Sequence, residues 1–255
     1  ASQPTETLRS EARDSAGISI VENQAPAAGS RMAWQISAEP TLSIGTLEGD
    51  AAYQLFRVRT ATKLADGRLL VANNGSSKIR VFDPSGVYIE AWGREGEGPG
   101  EFTGLGHVGA WPGDSVMAWD TRQRRISVFD AAGDLGRTFT FAQNDDVRSA
   151  TYRGLLSDGS IFVMASSLFG TGSAGEGLTR PDRGYARMGR EGELIANLGP
   201  HPGTEAYMRT GENFVTVMRH PFGRSSLSAV WNDMILISPN DTYEIKGYDS
   251  SGALK

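Results

Sequence analysis

Residues 104–109 read GLGHVG, which satisfies the G-x-G-x-x-G string of dinucleotide-binding turns. Such a turn binds a pyrophosphate only when its third glycine opens a helix whose amino end faces the phosphates. Here the segment AWPG follows at 110–113, and its proline and glycine do not allow a helix to begin. We therefore predict a loop between structural elements at this place, and not a nucleotide site.

Oxygen-bearing side chains follow two apolar segments of the chain. Asn73 and Asn74 come directly after the segment 69–72, and Asp120 comes directly after 116–119. Amide and carboxylate oxygens are the ligands that Ca²⁺ prefers. His107, His201 and His220 are too scattered in the sequence to form a metal motif.

The densest basic cluster is TRQRR at 121–125, which contains Arg122, Arg124 and Arg125. One interpretation is a docking patch for an acidic partner. The other is a solvated loop whose arginine stems cover the sheet beneath them.

Composition narrows the classes of function. A net charge of −5 disfavours nucleic acid, because affinity for it comes largely from Lys and Arg. The absence of cysteine excludes disulfides, thiolate nucleophiles and cysteine zinc sites. No apolar run approaches the roughly 20 residues of a transmembrane helix. The sequence begins ASQP without Met. Removal of a signal peptide during export would leave such a beginning, and so would a boundary set for another reason.

The chain contains an internal repeat. KIRVFDPSG at 78–86 returns as RISVFDAAG at 125–133. Each copy reads as an alternating strand that ends in an Asp-x-x-Gly turn, and a second turn precedes it. Nineteen residues separate the paired turn positions Gly67 and Gly86, Asp114 and Gly133, and Asp233 and Gly252, whereas 33 separate Gly159 and Gly192. Carboxylates repeated at such turns are predicted to cap the backbone, since a catalytic acid or base is needed only once.

The longer third unit indicates an inserted loop within residues 166–184. Long loops on rigid scaffolds commonly carry binding, and Leu168 and Phe169 near its start are candidates for partner contacts. A tolerated insertion without function is the alternative.

Units of about 45 residues with several short strands are typical of β-propeller blades. The lack of amphipathic helices excludes a parallel βαβ arrangement, which leaves a β-sandwich as the alternative. We predict a polar amino-terminal arm at 1–17, with the blades at 18–255, including strands at 18–21 and 41–45. Trp92, Trp111 and Trp119 are interpreted as packing between blades, with ligand binding as the alternative.

Residues 66–102 resemble the six-bladed β-propeller proteins of the NHL and TolB-like type. GRLLVANN, KIRVFDPSG and the link GREGEGPGEF at 93–102 carry the resemblance. More broadly, the chain is similar to exported or lipid-anchored bacterial propellers. The resemblance implies an all-β ring of which about four blade units are visible. We expect a chain cut short relative to its gene product, and the alternative is that the amino-terminal part supplies strands to a smaller or open assembly.

Because no catalytic motif is found, the sequence favours a non-enzymatic, extracytoplasmic binding or scaffold protein without a cofactor. Such a protein would contact protein partners, for example as an accessory subunit of a membrane-associated complex. The alternative that the resemblance implies is a calcium-dependent hydrolase or lyase with its site in the propeller channel. In that case the resemblance makes Asn73, Asn74 and Asp120 the candidate calcium ligands.

Overall fold

The computed structural model describes residues 10–23, 36–144, 147–166, 177–211 and 214–255. Two compact units divide the chain: residues 1–41 with Lys255, and residues 42–254.

The first unit contains an antiparallel hairpin of β1 (Ser10–Ser15) and β2 (Ile18–Asn23). Ala16 and Gly17 connect the strands with φ of 55° and 82°. Two successive residues with positive φ are what a tight two-residue hairpin turn requires. Part of the predicted polar arm is therefore a β-strand, and the predicted strand at 18–21 lies within β2.

The second unit consists mainly of antiparallel sheets whose strands follow one another in chain order, and we call these sheets blades. Blade 1 contains β3 (Val58–Lys63), β4 (Leu69–Asn73), β5 (Lys78–Phe82) and β6 (Tyr88–Trp92), with a short 3-10 helix at Asn74–Ser76. The short strands β7 (Arg94–Glu95) and β8 (Glu101–Phe102) link it to blade 2. Blade 2 contains β9 (Leu105–Trp111), β10 (Ser115–Asp120), β11 (Arg125–Phe129) and β12 (Leu135–Thr140).

The carboxyl-terminal half adds two more blades and a separate sheet. Its strands are β13 (Ser149–Leu155), β14 (Ile161–Ser166), β15 (Gly177–Thr179), β16 (Asp182–Met188), β17 (Leu194–Pro202), β18 (Ala206–Gly211), β19 (Phe214–Arg219), β20 (Leu227–Trp231), β21 (Met234–Ser238) and β22 (Lys246–Tyr248). Blade 3 has the order β13-β14-β16-β17, and blade 4 has β20-β21-β22. The remaining strands form a three-stranded sheet, β15-β18-β19, which we call the accessory sheet.

Three hydrophobic clusters lie between successive blades. Members from the two sides of each cluster are Val81 and Val108, Ile126 and Val163, and Phe162 and Ile235. Residues 116–120 of β10 are all buried, so this strand is covered on both faces. Burial on both faces requires sheets to stack on either side. The predicted all-β blade architecture is therefore confirmed, and Trp92, Trp111 and Trp119 are buried at 4%, 7% and 3% exposure as packing residues.

In blades 2, 3 and 4, the glycine of the turn that follows the third strand contacts the outermost strand of the preceding blade. A Cβ on Gly133 of blade 2 would lie 2.1 Å from Nε1 of Trp92, which ends β6. Gly192 approaches the Thr140 carbonyl at the end of β12, and Gly252 approaches Ala196 in β17. The carboxylate of the turn caps the backbone as predicted: Asp130 accepts the amides of residues 132 and 134 at 2.9 Å each.

The first strands of successive blades are neighbours in chain order. The Val108 amide of β9 donates to Oγ1 of Thr60 in β3 at 3.0 Å. The His107 ring of β9 lies 4.6 Å from the Tyr152 ring of β13. In a propeller, the first strands surround the channel.

The segment GREGEGPGEF is an internally bonded link between blades 1 and 2. Its β7 and β8 pair in parallel, and the Glu101 carboxylate accepts the Gly98 amide at 2.8 Å and Nε of Arg94 at 2.7 Å. Gly96 and Gly100 have φ of 150° and 74°, which glycine adopts readily. The segment positions the chain for the next blade.

Two local predictions were wrong. Residues 105–109 of the G-x-G-x-x-G string lie in β9 and not in a loop, because the string continues the first strand of blade 2. Residues 41–45 form no strand. The predicted inserted loop at 166–184 includes β15 and the beginning of β16 among its described residues.

Candidate functional site

A cavity of about 600 Å³ lies between blade 3 and the segment 219–228 that leads into blade 4. Most of its lining residues are polar or cationic, and none of the described residues that line it carries a carboxylate. The lining residues are Arg153, Met164, Arg183, Tyr185, Thr204, Arg219, His220, Pro221, Gly223, Ser225, Ser226, Leu227 and Ser228. We call this space the arginine cavity.

Two of its arginines meet at one sulfur atom. Arg153 projects from β13 and Arg183 from β16, and a guanidinium nitrogen of each lies 3.1 Å from Sδ of Met164 in β14. The two guanidinium groups are therefore close neighbours. A thioether sulfur is a weak acceptor, so it does not balance their positive charges.

The third arginine, Arg219, ends β19, and His220 follows it; both are exposed. Arg153, Arg183 and Arg219 form no ion pair with any residue that the structure describes. By contrast, nearby Arg187 pairs with Asp158.

Buried aromatic residues support the hydroxyl side of the arginine cavity. Tyr185, which is 2% exposed, stacks on Phe162 at 5.5 Å and places its hydroxyl 2.9 Å from Oγ of Ser226. The His201 ring meets Tyr185 edge to face at 5.6 Å. Burial lowers the pKa of His201, with the nearby Lys246 charge acting in the same direction. His201, which lies behind the cavity, is therefore neutral. The positive charge of the cavity comes from its arginines.

A second surface feature lies on the accessory sheet. Leu178 of β15 is directly opposite Tyr207 of β18, and Tyr207 is directly opposite Met218 of β19. Directly opposed residues share one face of a sheet. Their exposures are 59%, 48% and 55%, so the three side chains form an apolar row on an open face. Arg209, two residues after Tyr207, lies on the same face and is also exposed.

The predicted calcium ligands lie at the ends of two equivalent strands, β4 and β10. Two of them accept hydrogen bonds from backbone amides of neighbouring loops. Asp120 is 1% exposed, and its carboxylate accepts the amides of residues 103, 104, 122 and 123 at 2.8–2.9 Å. Asn73, also 1% exposed, accepts the Phe56 amide through Oδ1 at 2.8 Å. Asn74 begins the 3-10 helix. Among the described residues, no three His, Asp or Glu side chains are grouped as a metal site would require.

The predicted partner-binding residues have different environments. Arg125 donates to the carbonyls of Glu97, Gly98 and Glu101 at 2.8, 2.6 and 2.9 Å, and so holds the GREGEGPGEF link in place. Arg122 and Arg124 are exposed on the same loop. Leu168 and Phe169 lie outside the described residues.

Two titratable rings meet where the first strands of blades 2 and 3 lie side by side. Burial lowers the pKa of His107 and raises the pKa of Tyr152 to about 12. Both rings are therefore neutral near neutral pH. This pair fills space between two blades.

Sequence comparison identifies the repeat. Residues 55–147 match a family described as 6-bladed beta-propeller. The predicted resemblance to six-bladed β-propeller proteins is thereby confirmed. No curated protein sequence matches the chain.

Solved structures with a similar fold differ widely in their described activities. A protein of Bacteroides fragilis with a provisional description as exported has 14% identity and a TM-score of 0.46, over 82% of this chain and 73% of that chain. A streptogramin B lyase has 11% identity and a TM-score of 0.42, over 78% of this chain and 53% of that chain. A gluconolactonase of Xanthomonas campestris has 15% identity and a TM-score of 0.38, over 79% and 75%. At these identities and scores, the likenesses carry no conclusion about activity.

No helix in the described ranges is long and apolar enough to cross a bilayer.

Proposed function

We propose that the chain is a non-enzymatic binding protein that acts outside the cytoplasm and holds a protein partner, as a scaffold or an accessory subunit of a membrane-associated assembly. The observation that carries the proposal is the apolar row of the accessory sheet. The extracytoplasmic location rests on the resemblance to exported bacterial propellers, and fractionation of cells that make the full gene product tests it.

The apolar row has the features of a protein contact. Leu178, Tyr207 and Met218 stand in register on three hydrogen-bonded strands, so their positions are fixed before a partner arrives. A preformed surface loses little conformational entropy on binding. Contiguous exposed apolar side chains on a soluble domain commonly mark interaction sites, and Tyr and Met are enriched at interfaces.

The charge beside the row indicates what the partner carries. Arg209 shares the face of the row and forms no ion pair with the residues that the structure describes. Arginine on an interface typically pairs with a carboxylate in a two-point contact. The partner surface is therefore an apolar patch with an acidic residue at its edge, on a protein other than this chain.

The row can be tested by photo-crosslinking in the cells that make the protein. Tyr207 is replaced by the photo-reactive p-benzoylphenylalanine, which is also aromatic. We expect a single adduct of discrete mass, which is lost when Leu178→Asp and Met218→Asp are added and weakened by Arg209→Glu. The matched control places the same photo-reactive residue at Val217, which is similarly exposed at 58% but lies on the other face of β19.

The outcomes separate the possible occupants of the row. An adduct at twice the mass of the chain would identify a second copy and overturn the proposal of a different partner. Equal adducts from Tyr207 and Val217, or an adduct that survives both Asp substitutions, would show that the row itself does not bind.

Two sequence predictions belong to the same proposal. Contact of Arg122 and Arg124 with an acidic partner stays a prediction, and Arg122→Glu with Arg124→Glu should weaken the Tyr207 adduct if both surfaces bind one protein. The calcium-dependent hydrolase or lyase stays the alternative. Thermal unfolding with added Ca²⁺ against Mg²⁺ tests it, since a calcium-specific rise in melting temperature would favour it.

A further inference from the structure

We infer that the arginine cavity binds a small polar molecule through an oxyanion group, either a carboxylate or a phosphate. This site is separate from the apolar row, and the inference does not depend on a protein partner.

The arrangement of charge is the first argument. Arg153 and Arg183 approach the same Met164 sulfur at 3.1 Å each, so two guanidinium groups converge, and no carboxylate of the described residues pairs with either. Like charges held close together disfavour the empty arrangement, and an anion between them relieves the repulsion. Two neighbouring guanidinium groups also supply the planar N–H pairs that match oxyanions.

The surrounding arginines provide an internal comparison. Arg180 pairs with Asp241, Arg187 with Asp158, and Arg224 donates to Glu205 at 2.6 Å. Carboxylates thus neutralise several arginines in this part of the chain. The three arginines of the cavity have no carboxylate partner among the described residues.

The volume and the hydroxyl groups indicate the rest of the ligand. A space of about 600 Å³ is within the range of small-molecule pockets, and it is much larger than an inorganic ion needs. Ser226 and Ser228 line it together with Thr204, and the Ser226 hydroxyl is oriented by the buried Tyr185. Hydroxyl groups on the wall suit a ligand body that carries hydroxyl or carbonyl groups.

Isothermal titration calorimetry tests the inference with two probes, inorganic phosphate and citrate, each against chloride at equal ionic strength. We expect saturable binding of at least one probe. Arg153→Gln should weaken it roughly tenfold or more, the effect of losing one charge-assisted contact. The matched control is Arg59→Gln, because Arg59 is an exposed arginine on β3, the equivalent first strand of blade 1. This control should leave the affinity unchanged.

Arg183→Gln gives a second variant, and its folding is checked by circular dichroism because Arg183 is half-buried. A loss of affinity in the two cavity variants with unchanged secondary structure supports the site. Binding that weakens equally in Arg59→Gln would show general charge attraction and overturn the inference. Failure of both probes to bind would do the same.

Discussion

Replacing Gly133 with alanine tests how one blade is held against the next. Gly133 lies in the Asp-x-x-Gly turn of blade 2 at φ of 88°. A Cβ there would lie 2.1 Å from Nε1 and 2.4 Å from Cε2 of Trp92, which ends blade 1. Trp92 has no room to retreat, because it is 4% exposed and its ring stacks on Phe129 at 6.0 Å. The substitution must therefore displace a buried indole that joins the two blades.

The expected cost has two parts. A left-handed backbone costs an alanine about 1–2 kcal/mol. Overpacking a filled interior adds about 1–3 kcal/mol. Gly113 of the same blade isolates the first part, since its φ is 79° and a Cβ there would meet nothing within 4 Å. Gly113→Ala should therefore lower the free energy of unfolding by about 1–2 kcal/mol, and Gly133→Ala by about 2–5 kcal/mol.

Urea unfolding followed by tryptophan fluorescence and by far-ultraviolet circular dichroism measures both variants. Fluorescence reports on the buried tryptophans directly, and circular dichroism reports on the strands. Equal losses in the two variants would mean that the contact between Gly133 and Trp92 contributes nothing beyond the turn, and the proposed joint between blades would be refuted.

Three further predictions can be tested by substitution. Asp120→Ala should lower the free energy of unfolding by about 2–4 kcal/mol in urea titrations, because four backbone amides lose the acceptor that a buried carboxylate gives them. Burial lowers the pKa of His107 and His201, so the unfolded chain binds more protons as the pH falls below about 6.5. Melting temperature should therefore fall between roughly pH 7 and pH 5, and less steeply when both are replaced by Gln. Arg125→Lys should cost about 1–2 kcal/mol in urea because the bridge to three carbonyls is lost, whereas Arg124→Lys should be nearly neutral.

The blade architecture could be predicted because it depends on local signals that repeat. Gly86, Gly133 and Gly252 each require a positive φ, and each follows its paired turn position by 19 residues. A turn of that kind leaves glycine and aspartate at fixed places in the sequence. The alternation of apolar and polar residues along the intervening strands then indicates which face of each strand is buried.

The arginine cavity could not be predicted in the same way. Arg153, Arg183 and Arg219 lie on three strands far apart in the sequence. Only the pairing of β14 with β13 and β16, and the position of β19, bring them together. Nothing in their spacing indicates a site. Part of the accessory sheet could have been predicted, since the sequences of residues 206–211 and 214–219 are compatible with two strands. These segments do not match the repeated pattern of the blades.

Features of this chain that recur from blade to blade can be distinguished from features that occur once. The joint between Gly133 and Trp92 recurs at Gly192 and at Gly252, and Gly86 makes the same kind of contact with Leu42 and Ile44, which lie before blade 1. Residues 42–44 thus give blade 1 the support that β6, β12 and β17 give the blades after them. A feature that recurs at every joint is explained by stacking of blades. The arginine cavity and the apolar row, in contrast, both include residues of β15 or of the segment 203–226, which lie outside the four-stranded order that blades 1 and 2 show. The stacking of blades does not require these two features, and we therefore expect ligand and partner to bind at them.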